Sequence, residues 1–330
     1  MKTFIVNIIL LSFLIPESQV GTAAGNFLGI GVGSRAVSMG GAYSSIHKDP
    51  SVIYWNPGAI SRFESDKFLI SNVSWLVDTQ LYFSTFIKKI NDQSLGLYWT
   101  YLDYGKEEVT TLDNQIGTGL YWDASDIVFG AMYSMNLTER FSFGGGVKYI
   151  GQNIYNESSS SLAIDLGLLY TSQNNDFNIG MSISNIGFDM SLSGKDLQQS
   201  IDIDPNNSGN NETIIANLNT DSFPLPIFYR MGFSVDKSIS NRVNLLSSID
   251  AVIPSDDVEH LNLGFELTYF ERVFLRCGYA QLGKSDSEQG LTFGFGSKIY
   301  LFGLDFTLNY AYQEFGVLGY VPHIDFEFNF

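Results

Sequence analysis

Any chemistry in this chain of 330 residues would have to come from few side chains. There are three histidines, His47, His260 and His323, and one cysteine, Cys277. His323 and Asp325 stand two apart in an alternating run, hence on one face of a strand, and a serine brought to them would complete a hydrolase triad. No Gly-x-Ser-x-Gly elbow accompanies them, so a polar pair on an inner strand face is the expected reading. His47 lies beside Lys48 and Asp49, a setting for local ion pairing. Cys277 alternates with Val273, Leu275 and Tyr279 and is expected to be buried or lipid-facing; alone it forms neither an intramolecular disulfide nor a cysteine metal site. The run Asp202, Asp204, Asn206, Ser208, Gly209, Asn210, Glu212 starts like a calcium loop, but its glycine falls eighth where the loop needs it sixth, and Pro205 interrupts it. A solvated loop is the default there, with Asp202, Asp204 and Asn206 the residues that would hold calcium. Neither Gly29–Gly33 nor Gly144–Gly146 leads into a helix through Lys-Ser/Thr, so neither cradles phosphate; in strands, glycines permit bends and close approach of another backbone. The expectation is a protein with no catalytic site and no cofactor.

Composition narrows the class. Aromatic residues make up 15% and glycines number 32, while charged residues reach only 16% against a usual value of about 25%. A formal charge of −17 with 18 basic residues excludes nucleic acid as a partner, because phosphates require clustered Lys and Arg. The acidity fits either a solubilising surface or cation-binding loops. Beyond the first twenty-odd residues no apolar run approaches the roughly 18 needed for a membrane helix. Insertion into a bilayer would therefore be by strands.

The elements that must position these residues follow in order. Residues 1–24 read as a secretory signal: Lys2, an apolar core from Phe4 to Ile15, then the small residues Gly21, Ala23 and Ala24. Residues 25–62 are Gly-rich without sustained alternation and read as a compact N-terminal plug. Ser34 to Ser45 predicts a short helix that Gly40 and Gly41 weaken by about 1 kcal/mol each, and Tyr54 to Gly58 predicts a turn, since Asn-Pro initiates turns. From 63 to 330 the chain runs in about fourteen alternating segments, from 68–77 and 80–90 to 304–315 and 321–330, each close to the roughly 9–11 residues of a tilted spanning strand. Ile127, Phe129, Ala131, Tyr133 and Met135 show the greasy face; Ser142, Gly144, Gly146 and Lys148 show the other. Tight links alternate with longer ones, notably Leu102 to Asp123 and Asp189 to Pro224, with smaller loops near Asn156, Ser255 and Lys284. That parity belongs to a membrane barrel whose termini share one side; a soluble β-sandwich or propeller, the competing fold, would lack it. The fold expected is all-β, a transmembrane antiparallel β-barrel of about 14 strands with a small N-terminal plug.

Two stretches add a resemblance. Phe27-Leu-Gly-Ile-Gly-Val-Gly-Ser-Arg-Ala-Val-Ser-Met-Gly-Gly-Ala-Tyr43 and Asp49-Pro-Ser-Val-Ile-Tyr-Trp-Asn-Pro-Gly58 resemble the N-terminal signature of the PorV/PorQ family of outer-membrane proteins, itself similar to FadL-type transporters of hydrophobic compounds. Arg35, Gly40, Gly41, Trp55, Asn56, Pro57 and Gly58 carry the plug motif, with Gly58 where the family usually has Ala. Asn309 to Tyr312 and the closing run from His323 fit the family's ending, and Ile324, Phe326, Phe328 and Phe330 resemble the C-terminal signal read by the barrel-assembly machinery. The resemblance implies a bacterial outer-membrane location in contact with lipid, and two functions. The leading one is a component of type IX secretion that meets a translocon, an attachment complex or secreted cargo. Its contact surface would be the loop carrying Ile201, Ile214 and Ile215. The alternative is a FadL-like passive channel for hydrophobic small molecules, gated by the plug.

Overall fold

The computed structural model describes residues 21–173, 176–202, 214–301 and 304–330. Most of the expected signal segment lies outside the described residues, as do the links 174–175 and 302–303. Alternating β-branched and aromatic residues pair along fourteen antiparallel strands. These are β1 (Lys67–Ser74), β2 (Gln80–Ile90), β3 (Gln93–Glu108), β4 (Tyr121–Asn136), β5 (Phe141–Ile154), β6 (Glu157–Thr171) and β7 (Phe177–Gly187), followed by β8 (Phe228–Ser240), β9 (Val243–Pro254), β10 (His260–Tyr269), β11 (Val273–Leu282), β12 (Gln289–Leu301), β13 (Leu304–Phe315) and β14 (Tyr320–Asn329). Each pairs with its sequence neighbour, and β1 closes on β14 from Lys67↔Asn329 to Val73↔His323. The closure removes both sheet edges.

Side chains segregate by register. On β4, Phe129 and Tyr133 are exposed on the outside, whereas Asp126, Val128, Met132 and Ser134 are buried inside. On β13, Leu308 and Tyr310 face out and Thr307, Asn309 and Ala311 face in. A one-residue slip would reverse every strand, so burial fixes the register. A continuous belt of exposed Leu, Ile, Phe and Tyr would aggregate in water; in a bilayer it is the lipid face of an outer-membrane barrel. Cys277 belongs to this outer wall.

Three expectations need correction. The loop predicted near Asn156 is a tight turn at Tyr155–Asn156, and the Leu102–Asp123 insertion shrinks to 109–120. In both places the strands continue past the end of the alternating pattern. Backbone pairing does not need a greasy face, and a bulge at Tyr104–Gly105 shifts the phase between β3 and β4. The helix expected over Ser34–Ser45 spans only Ser34–Ser38 (α1). Gly40 and Gly41 adopt φ of 66° and 75°, and a Cβ on Gly40 would lie 2.7 Å from the carbonyl oxygens of Leu263 and Tyr279. A second short helix, α2 (Val52–Trp55), leads through Asn56 into a 3-10 turn at Pro57–Arg62, which has proline at its start as expected.

Residues 26–62 lie inside the barrel. Their apolar side chains, among them Phe27, Val32, Tyr43, Ile53 and Ile60, join Leu69, Leu81, Phe83 and Ile87 from the inner faces of β1 and β2 in one core. The remaining inner wall is largely polar.

Candidate functional site

The Pro57–Arg62 turn packs on β3–β6; Arg62 donates to the Glu139 carbonyl at 2.7 Å and to Ser142 Oγ at 3.3 Å, and no carboxylate pairs with the turn among the described residues. Asn56 organises this contact: its amide nitrogen donates to the carbonyls of Ser44 (2.7 Å) and Leu168 (2.9 Å), and its oxygen accepts from the Gly58 amide at 3.0 Å. The wall is glycine where the turn touches it. A Cβ on Gly167 would meet Asn56 Oδ1 at 2.1 Å, and one on Gly144 would meet the Pro57 carbonyl oxygen at 2.4 Å. Gly58 is explained in the same way, because a Cβ there would fall 2.6 Å from the Gly167 carbonyl oxygen. Trp55 donates from Nε1 to the Val32 carbonyl at 3.0 Å and accepts at its own carbonyl from Ser182 Oγ at 2.8 Å.

The α1 side rests on β10–β14 and is held by charge as well as by close approach. Ser34 donates its amide to Asp325. Arg35 is buried and pairs with Glu266, which also accepts from Arg276 Nε at 2.6 Å; Arg276 reaches Asn309 Oδ1 at 2.9 Å. Asp250, on β9, takes the amides of Tyr43 (3.0 Å) and Ser44 (2.8 Å). Thr292 accepts from Gly40 N and donates to the Ser38 carbonyl, both at 3.0 Å. Three inward carboxylates on different strands thus bind one short stretch of chain. Charge-assisted bonds of this kind are about twice as strong as neutral ones.

Two cavities border the segment, and a third lies apart from it. On the α1 side, one of about 500 Å³ opens toward the long-loop end, lined by Val37, Gly40, Trp55, Trp75, Phe228 and Arg230 among others. A second, of about 260 Å³, opens toward the short-turn end and includes Arg35, Glu266, Arg276, Lys67 and Glu327. Helix α1 contributes to both, Val37 to the first and Arg35 to the second. The third, of about 780 Å³, lies in the barrel mouth beneath the long loop after β7.

All seven residues of the N-terminal motif therefore line the inner contact. His323 and Asp325 do share an inner face, but Asp325 is engaged by Ser34, and neither ring nitrogen of His323 has a hydrogen-bond partner among the described residues. His260 contacts the Val258 carbonyl through Nδ1 at 3.1 Å. Half-buried His47 is held uncharged by desolvation, with Lys48 and Arg62 adding to the effect, and its pKa falls to about 4. Ile324, Phe326 and Phe330 are exposed on the outer wall, and Phe328 stacks between Phe68 and Phe306. Ile201 pairs with Ile214 in a small ladder of the long loop, with Ile201 and Ile215 exposed. Asp202 is the last described residue before 203–213, and Asp204 and Asn206 lie outside the described residues. Sequence reasoning missed Asp250, Glu266 and Arg276; the signal for them is an ionisable residue at inward register in mid-strand.

No family model matches the sequence, and no curated protein matches it. Among solved structures, the fold is similar to the toluene transporter TbuX of Ralstonia pickettii, at 12% identity over 91% of this chain and 98% of that one, with a TM-score of 0.57. It is similar to the CymD monoaromatic hydrocarbon channel, at 13% identity with the same two coverages and TM-score. It is also similar to a FadL homologue of Pseudomonas aeruginosa, at 12% identity, 91% and 98% coverage and a TM-score of 0.54. These are likenesses of fold. With its closed wall and apolar exterior, the protein is a barrel of the bacterial outer membrane.

Proposed function

We propose that the protein is a passive outer-membrane channel for small apolar molecules, with residues 25–62 acting as a plug that moves to open it. The observation that carries this reading is a pair of cavities of about 500 and 260 Å³, one toward each end of the barrel, that both border α1, the first at Val37 and the second at Arg35. A small displacement of α1 from β10–β14 would join them. The upper cavity also presents Trp55, Trp75 and Phe228, surfaces suited to an apolar solute. The similar solved structures include transporters of toluene and a hydrocarbon channel, which favours this function over secretion.

The PorV/PorQ reading, in which Ile201, Ile214 and Ile215 meet a type IX translocon, an attachment complex or cargo, is carried by the resemblance of the N-terminal signature and the closing strands alone. The outward row Ile324, Phe326, Phe328 and Phe330 serves either function as an assembly signal. Deleting Phe330 should reduce the heat-modifiable folded form in membranes, and unchanged assembly counts against that role.

Entry of N-phenyl-1-naphthylamine into cells with an intact outer membrane tests the channel. Expression should raise the entry rate several-fold. In a Cys277→Ser background, Lys48→Cys with Asp236→Cys replaces an ion pair of 2.8 Å between plug and wall. A short bifunctional thiol reagent across that pair should return entry to the level of cells lacking the protein. Entry that ignores both expression and tether would reject the channel.

A further inference from the structure

The mouth cavity of about 780 Å³ has a one-sided chemistry. Its apolar walls come from Trp122, Ile154, Met190, Leu192 and Phe223, while its polar groups include Asp126, Gln152 and Asp221; no Lys, Arg or His is among the described residues that line it. Asp126 is the telling group, 3% exposed and inward-facing on β4. It accepts from Tyr104 Oη at 2.7 Å through one oxygen and from Gln152 Nε2 at 3.0 Å through the other. A carboxylate offers about four acceptor positions, so two bonds leave it able to take another donor. Tyr104 and Gln152 fix its orientation, which is the second requirement of a recognition group.

We infer that this cavity is an entry site selecting apolar molecules that carry one hydrogen-bond donor, a hydroxyl or an amine, and rejecting carboxylates. The inference rests on the channel reading and names its substrate class. A hydrocarbon entering the cavity gains the apolar wall but leaves Asp126 desolvated beside it, whereas a phenol or ammonium fills that wall and donates to the carboxylate. A ligand carboxylate would be brought next to Asp126 and Asp221 with no cation to offset the repulsion. The direct partners of Asp126 already satisfy part of its capacity, so the preference is moderate, about one to two orders of magnitude in affinity.

The experiment uses four ring compounds of nearly equal size: toluene, 4-methylphenol, 4-methylbenzylamine and 4-methylbenzoate. Each is titrated calorimetrically into the full barrel in lipid nanodiscs, with protein-free nanodiscs subtracted, and its entry into intact cells is measured separately. The phenol and the amine should bind at least tenfold more tightly than toluene, with the benzoate weakest. Asp126→Asn, checked for folding by heat-modifiability, should cut amine affinity about tenfold and narrow the gap to the benzoate. If that variant fails to fold, the wild-type series decides by itself. Toluene or the benzoate binding as tightly as the phenol would overturn the selectivity. All four binding in the predicted order, with no protein-dependent entry of any, would sustain the inferred site and reject the channel.

Discussion

The two inner contacts of residues 26–62 differ in kind. Against β3–β6 the chain is held by close approach and by bonds to neutral groups: Asn56, Pro57 and Gly58 lie on Gly144 and Gly167, Asn56 donates to the Leu168 carbonyl, and Arg62 donates to the Glu139 carbonyl, with no carboxylate partner among the described residues. Against β9–β14 glycines also permit close approach, with a Cβ on Gly278 falling 2.3 Å from the Gly40 amide, but Asp250, Glu266 and Asp325 add charged bonds. Parting this side would also separate backbones packed at glycine without a carboxylate to be rehydrated. A charge-held contact is stronger while closed, yet water can replace its partners as it opens, and Arg35 and Glu266 already border the lower cavity. On the proposed channel function, the Asn56 side would serve as the hinge and the Arg35 side as the opening edge.

The largest effect should come from Glu266→Ala. It leaves Arg35 and Arg276 side by side without their shared carboxylate, and loss of one partner from a buried pair costs about 3–5 kcal/mol. The expected outcome is a lower thermal midpoint together with raised entry of N-phenyl-1-naphthylamine. Glu266→Gln, which keeps an acceptor but not the charge, should fall between. A wild-type midpoint and barrier in Glu266→Ala would show that the charged contact holds nothing.

Gly167→Ala tests the other side and should cost less, about 1–3 kcal/mol of overpacking. Its added methyl would meet Asn56 Oδ1 at 2.1 Å and the Gly58 amide nitrogen at 2.7 Å. Because the charged edge remains, thermal stability should drop with little change in probe entry. Entry rising as far as in Glu266→Ala would remove the distinction between hinge and edge.

Much of this was readable from sequence, and the reason is local. Each strand carries its own alternation, so the count of fourteen and the inward register of Ser142, Gly144 and Lys148 follow from neighbours in the chain. The N-terminal motif was also visible, since Gly40, Gly41 and Asn56-Pro57-Gly58 are conformationally particular residues. What pairs with them was not. Ser34 meets Asp325, and Arg35 meets Glu266, across more than two hundred residues, and nothing local distinguishes these acids from others facing a wet lumen. The wall bulge at Ser184–Asn185 opposite Asp165 was equally hidden. Asn185 takes φ of 68°, and its amide donates to Asp165 Oδ1 at 2.7 Å, an arrangement that a polar pair in a strand does not announce.

The smallest expected effect lies at His47, between the two contacts. Desolvation, reinforced by Lys48 and Arg62 and opposed by Asp236, lowers its pKa from 6.5 to about 4. Between those values the unfolded chain binds a proton that the folded one does not, so stability rises with pH. The contribution is complete above about 6.5 and is lost as pH falls through 4. Partial exposure of the ring holds it to about 1–2 kcal/mol, well below the full value of a shift of this size. Thermal midpoints at pH 7 and pH 5 should therefore differ more in the wild type than in His47→Asn, which cannot take up the proton. Because the proton would arrive beside Lys48 and Arg62, acid should loosen the lower end of the segment and leave the Asn56 contact in place. Equal pH dependence in the two proteins would remove His47 from the account and leave the charged edge to Asp250, Glu266 and Asp325 alone.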